Sequence, residues 1–477
     1  MPCIHYVLKP LARPTFMLQD TSKESSINQD QPSRRISYVI RAVAYPMLNV
    51  SLMPRAEGRY SHGASTASRY SQYGLLATEK SLLRNCQHKG VVGITRLTQL
   101  PQFPQPRIQV MDEDNQSPLH HAALNGQTSA VERLLMSGAS IDIRDMDRNT
   151  PLHLAVWKGH ADVVELLLDK GSSIQARNEY YNTPLQLATW NGHTGVVEIL
   201  LRNGAPIEVT GGKTPLNIAA SRGHADMVEL LLREGALIEA TCGRGSTPLH
   251  HATRSGQTST VKLLLERGAL IQAINYNKYT PLHLAALNNH IGLVELLLDK
   301  GALTDPIRTL YTPLLLAAYR GHPGVVELLL KGGALIEATG GTGSTSLHFA
   351  AMGGHTSVVG VLIANGAVVD IIDGTGVTPL YYAMLYGHTN VVDLLLAKGA
   401  SIEAVDHQNN TPLHQAASKN HTGVVKLLLQ KGAPTESKNN NNLTPLDIAK
   451  ENHHFDNMVL LSRAAAMGSA SRDMNWY

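Results

Sequence analysis

From Thr150 to Ser172 the chain reads TPLHLAVWKGHADVVELLLDKGS, and its apolar positions fall into two short clusters. Leu152, Ala155 and Val156 form one narrow apolar face. Val163, Val164, Leu166 and Leu167 form a second, with Glu165 and Asp169 on the opposite side. Both clusters follow the helical period rather than the alternation of a strand. Thr150 stands where a hydroxyl can accept an orphan backbone N–H, and Pro151 takes the first helical position, where its missing N–H costs nothing. Gly159 permits the left-handed residue that ends a helix, and Gly171 stops the second. The pattern predicts two short helices joined by a tight turn, with a polar finger leading onward.

Nearly the same words, TPLHLAALNNHIGLVELLLDKGA, return at Thr280–Ala302. With the proline of the TPL triplet as marker, the unit recurs at Pro118, Pro151, Pro184, Pro215, Pro248, Pro281, Pro313, Ser346, Pro379, Pro412 and Pro445, in steps of 31 to 33 residues. Eleven copies thus run from Asp112 to Ala465, and they are numbered here 1 to 11. Neither helix of a copy is long enough to persist alone, so each pair must bury its apolar face against the pairs beside it. Copy 1 carries Arg133 in its second helix and copy 11 gains Lys450 and Glu451, changes that suit ends facing water. The fingers before Pro215 and Pro313 are shortened, which predicts joints that are shorter, stiffer or slightly bent.

A 33-residue step built on TPLHxA and GHxxVVELLLxxGA closely resembles the ankyrin repeat. The resemblance implies an all-α ankyrin-repeat solenoid over residues 111–465, with fingers and first helices lining a concave face. The GALIEAT style of finger also resembles arrays in fungal regulatory proteins. The resemblance further implies structural work for most of the histidines. Six occupy the TPLH slot (His120, His153, His250, His283, His348 and His414), and nine sit in the Gly-His turn (His160, His193, His224, His290, His322, His355, His388, His421 and His453). Both slots are expected to tie turns together by hydrogen bonds, not to hold metal.

Composition supports a folded body with a different head. Residues 1–110 carry a net charge of +9 and the remainder −6, and the head shows neither repeat nor periodicity. It reads as a largely disordered segment ending in the proline-rich linker QLPQFPQPR, and residues 466–477 read as a tail. Arg34–Ser37, RRIS, makes Ser37 a candidate phosphorylation site. Cys3, Cys86 and Cys242 form no disulfide framework, and neither a signal peptide nor an apolar run of membrane-spanning length is visible. These features predict a nuclear or cytoplasmic protein, monomeric and without a cofactor.

Catalytic chemistry finds no support in the spacing. Cys242 in TCGRGS has no His–acid partner suggested by its neighbours, and the glycine-rich fingers lack the Gly-Lys-Ser/Thr ending of a phosphate loop. One finger column is acidic in eight of ten copies: Asp142, Gln175, Glu208, Glu239, Gln272, Asp305, Glu337, Asp370, Glu403 and Glu436. It reads either as a ladder holding the fingers, the preferred view, or as a stripe attracting a basic partner. Aromatics, scarce at 5% of the chain, gather where the repeat does not need them. Trp157 and Trp190 share one slot in adjacent copies, with Tyr180 nearby; Tyr276, Tyr279, Arg308, Tyr311 and Tyr319 make a second patch, and Tyr386 follows. Aromatics and arginine are the usual anchors of interfaces. The expected function is a non-enzymatic scaffold for a protein partner, such as a regulatory adaptor or a co-regulator docked on a transcription factor, with no sequence-specific reading of nucleic acid. The alternative is a substrate-recruiting arm with a catalytic head.

Overall fold

The computed structural model describes residues 110–209, 212–306 and 310–473, with side chains through residue 466. The expected disordered head, Ser37, Arg308 and the cores of the two shortened fingers therefore lie outside the described residues.

Twenty-two helices and no strand are found among the described residues, in eleven pairs. Each pair joins an inner helix of seven or eight residues, such as Pro151–Lys158, to an outer helix, which has nine residues in the first ten copies, as in Ala161–Asp169. Inner helices pack on the inner helices of both neighbouring copies, and outer helices on outer ones. Within the second copy Leu152, Leu154, Ala155, Val156, Val163, Val164 and Leu167 are all fully buried, while Glu165 and Asp169 face water. One apolar core continues through the array from Leu119 to Leu461. At the first end the outer helix Thr128–Met136 buries only Val131, as a cap should. At the other end the last helix, Phe455–Asp473, runs past residue 465.

The cap of each inner helix shows how local chemistry becomes a bond between copies. At Thr247 the backbone N–H donates to Nδ1 of His250 at 3.2 Å, and the Thr247 hydroxyl lies 2.8 Å from the same nitrogen. Nδ1 is therefore unprotonated, Nε2 carries the hydrogen, and Nε2 donates to the carbonyl of Tyr279 in the next copy at 2.9 Å. The same arrangement recurs at His120, His153, His283, His348 and His414, each reaching a carbonyl 28 or 29 residues ahead. Burial is the main reason that His120, His153, His250 and His283 are pushed down to about 4. In copy 3 Gln186 does both jobs without titrating, accepting from Thr183 N–H at 2.8 Å and donating to the Lys213 carbonyl at 2.8 Å.

The turn histidines bond backward. His160 donates from Nε2 to Leu124 O at 3.0 Å, and His193, His224, His290, His322, His355, His388 and His421 repeat the bond. In copy 11 this place belongs to His454, whose ring nitrogen lies 2.8 Å from Ala417 O. His453 instead takes the left-handed backbone position, φ 57°, that Gly159 holds at φ 76° in copy 2. The sequence expectation was thus one residue out of step at that end.

Two tests follow from these bonds. Because the capping histidines are neutral when folded and ordinary when unfolded, the unfolded chain binds more protons between pH 6.5 and about 4. Their contribution is complete above pH 6.5 and is lost as pH falls, at about 1.4 kcal/mol per histidine per pH unit. His153→Gln should match the parent within about 1 kcal/mol at pH 7 and exceed it at pH 5 in denaturant titrations. In Gly159→Ala and Gly171→Ala, both positive-φ positions are strained, but only at 159 does a new Cβ meet a side chain, His193 Nδ1 at 2.7 Å. Gly159→Ala should therefore lower the thermal midpoint further than Gly171→Ala does.

Candidate partner-binding surface

The aromatic residues singled out by the sequence divide sharply by burial. Tyr276 is 73% exposed and Tyr386 38%, and Trp157, Tyr180 and Tyr319 are half-buried. Trp190, Tyr279 and Tyr311 are below 10% exposed. The two tryptophans share a slot yet differ in what lies above them. Trp157 carries the ammonium of its neighbour Lys158 4.2 Å above the ring, whereas Trp190 is covered from the next copy by the Arg222 guanidinium at 4.3 Å and joins the core.

The second patch is partly an internal assembly. Tyr279 stacks on the capping His283 with ring centres 5.4 Å apart. Tyr311 and Tyr319 both meet Phe349 edge-on, at 6.0 and 6.1 Å, and Tyr386 stacks on the turn His388. Phe349, fully buried, is the hub that the sequence reading missed, because its apolar slot looked like ordinary framework. No ring contact joins Trp157, Tyr180 and Trp190 among the described residues. The more open rings, Tyr276, Tyr386 and the half-buried Trp157, stand apart on separate, non-adjacent copies.

The acidic finger column is a ladder. Asp142, Glu208, Glu239, Asp305, Glu337 and Asp370 accept the backbone N–H of Ser173, Leu237, Leu270, Leu335, Val368 and Ser401 in the following copy, at 2.7 to 3.0 Å. Gln175 and Glu403 break the series for a covalent reason. Thirty-one residues on stand Pro206 and Pro434, which have no N–H to give. Gln272 stands opposite Leu303 by the same count and its amide atoms have no hydrogen-bond partner.

Cys242 has a histidine neighbour that the spacing did not suggest. Its Sγ lies 3.3 Å from Nε2 of His251, nine residues along the chain. Lys213, only 8% exposed, and Arg254 lie within electrostatic reach of His251, and the exposed Arg244 lies within reach of Lys213. Burial first, and then Lys213 and Arg254, hold His251 well below its ordinary range, so the ring is neutral. No group of three histidine, cysteine or carboxylate side chains that could hold a metal is found among the described residues. No described helix is long and apolar enough to cross a membrane.

A family model described as ankyrin repeats in sets of three copies matches the chain in overlapping stretches, residues 93–178, 119–211, 185–275, 234–309, 270–340, 314–406 and 401–468. A search of curated proteins finds no match.

The burial contrast between the two tryptophans is measurable. Trp190→Ala should cost about 3–5 kcal/mol of unfolding free energy, as for a core tryptophan. Trp157→Ala, at the same slot but half-open, should cost less than half as much in the same denaturant titration.

Proposed function

The chain belongs to the ankyrin-repeat family, whose arrays serve protein–protein interaction, and from that premise we propose that it is a non-enzymatic, monomeric adaptor in the nucleus or cytoplasm. Its partner is a regulatory protein, with a transcription factor the most concrete case, and the chain itself reads no nucleic-acid sequence.

The observation that carries this reading is the exposure of large rings at positions the framework does not use. Tyr276 at 73% and Tyr386 at 38% are held on fingers and turns whose own backbone bonds are complete without them. Tyr276 N–H donates to Arg244 O at 3.1 Å, and the Tyr386 N–H donates to Tyr382 O at 3.1 Å, so the backbone beneath each ring is fixed. Rigid aromatic anchors on an ordered backbone lose little entropy on binding, which is what makes such residues hot spots.

The test is affinity capture of partners by the full chain and by the triple variant Trp157→Ala, Tyr276→Ala, Tyr386→Ala, with captured proteins identified by mass spectrometry. At about 2 kcal/mol per anchor, one anchor alone is worth about 30-fold in affinity, so the variant should lose its partner while keeping its helical content. Capture that is unchanged in the variant overturns this placement of the surface.

A further inference from the structure

In most fingers one residue organises the turn. Asp373 Oδ1 accepts the N–H of Thr375 at 2.8 Å and of Val377 at 3.3 Å, and Asp406 Oδ1 does the same for Gln408 and Asn410, both at 2.9 Å. Asn178, Asn275 and Asn439 stand in the same column and bond alike. The column residue also receives side chains from two fixed places. Of the residues 29 back, Ser344 donates to Asp373 at 3.0 Å, while Asn149 accepts from Asn178 at 3.1 Å and Asn410 from Asn439 at 2.9 Å. From nine residues ahead come Tyr382 to Asp373 at 2.7 Å and Gln415 to Asp406 at 2.7 Å, with His121 at 2.9 Å from Asp112.

Cys242 occupies this column in copy 5. Its N–H donates to Ser246 O at 3.1 Å and its carbonyl accepts from Gly245 at 2.8 Å, the same turn as at the acids. The residue 29 back is Lys213, and the residue nine ahead is His251, already 3.3 Å from Sγ. By register Lys213 stands in the column from which Ser344, Asn149 and Asn410 reach their partners, and a thiol stands where Asp373 holds a carboxylate. The Lys213 ammonium makes no hydrogen bond or ion pair among the described residues, although the residue is over nine-tenths buried. Arg254 and Arg244 add charge of the same sign. No carboxylate among the described residues acts on Lys213, Arg254 or His251. Burial, and then repulsion from Arg254 and Arg244, lowers the proton affinity of Lys213, with Cys242 opposing. A cation on a largely buried side chain beside other cations is costly without a counter-charge, and an anion that enters lowers the cost.

From this geometry we infer that the Cys242 node, lined by Lys213, Arg254, Arg244 and His251, is an anion-binding pocket. It takes a carboxylate or phosphate group presented by a bound peptide, at the place where Asp373 and Asp406 supply a carboxylate from the chain itself. The peptide as carrier rests on the protein-binding reading above; the pocket does not.

The test uses the full chain and small probes. Alkylation of Cys242 by iodoacetamide is followed by peptide mass spectrometry, with Cys3 and Cys86 as internal references. Inorganic phosphate or a hexaglutamate peptide is compared with chloride at matched ionic strength. At a probe concentration twice its dissociation constant, Cys242 should react about threefold more slowly. Lys213→Met and Arg254→Gln should each remove most of that protection. Protection by phosphate alone assigns the pocket to a phosphorylated residue, and protection by hexaglutamate alone to a carboxylate. Cys242→Asp, which builds the anion in, should raise the thermal midpoint and abolish any further rise with phosphate. Absence of protection by both probes overturns the inference, as does full protection in Lys213→Met or a lowered midpoint in Cys242→Asp. Because no partner protein is present, failure here is separate from failure of the aromatic surface in the capture experiment.

Discussion

Burial across the boundary between copies is the constraint on which the rest depends. An inner helix of seven or eight residues cannot hold itself together, and its apolar side chains are sealed only when copies stand on both sides. Every other device in the molecule operates inside that condition. The capping histidine reaches forward to a carbonyl of the next copy, the turn histidine reaches back to one of the previous copy, and the finger carboxylate grips the next finger. The capping bond, fully buried, satisfies a polar group that stacking would otherwise strand in a dry interior, so there packing and polar satisfaction are the same event seen from two sides. Ion pairs on the outer helices, such as Arg233 with Glu198 at 3.9 Å, lie in water and add little.

The fold was legible because its signals are local. Thr-Pro at a helix start, glycine at positive φ and apolar spacing are set by a residue and its near neighbours, and each appeared where the spacing placed it. Even the histidine roles could be anticipated once the unit was recognised, apart from the step between His453 and His454. The binding surface was legible only in outline. Trp157 and Trp190 are equivalent in sequence position, and what separates them is a side chain from the following copy, Arg222, that lies over one ring. Tyr279 and Tyr311 are buried because a capping histidine and Phe349 stand against them. Burial of that kind depends on pairs some 30 residues apart, which a scan along one copy does not see.

The pairing of Cys242 with His251 belongs to the same class of hidden relation. A separation of nine residues joins a finger to the following helix in copies 1, 5, 9 and 10, and it becomes visible only when the copies are aligned by column. Seen that way, the cysteine takes a framework position that aspartate or asparagine holds in other copies.

The finger ladder has a mechanical meaning. Its rungs are present after Asp142, Glu208, Glu239, Asp305, Glu337 and Asp370 and missing after Gln175, Gln272 and Glu403, twice because proline leaves no hydrogen to share. The missing rungs part copies 1 to 9 into blocks of two, three and four, and no rung follows Glu436 among the described residues. Drawn from its ends, such a tether lengthens in steps: the unlatched seams give way first, and each latched block yields later as a unit.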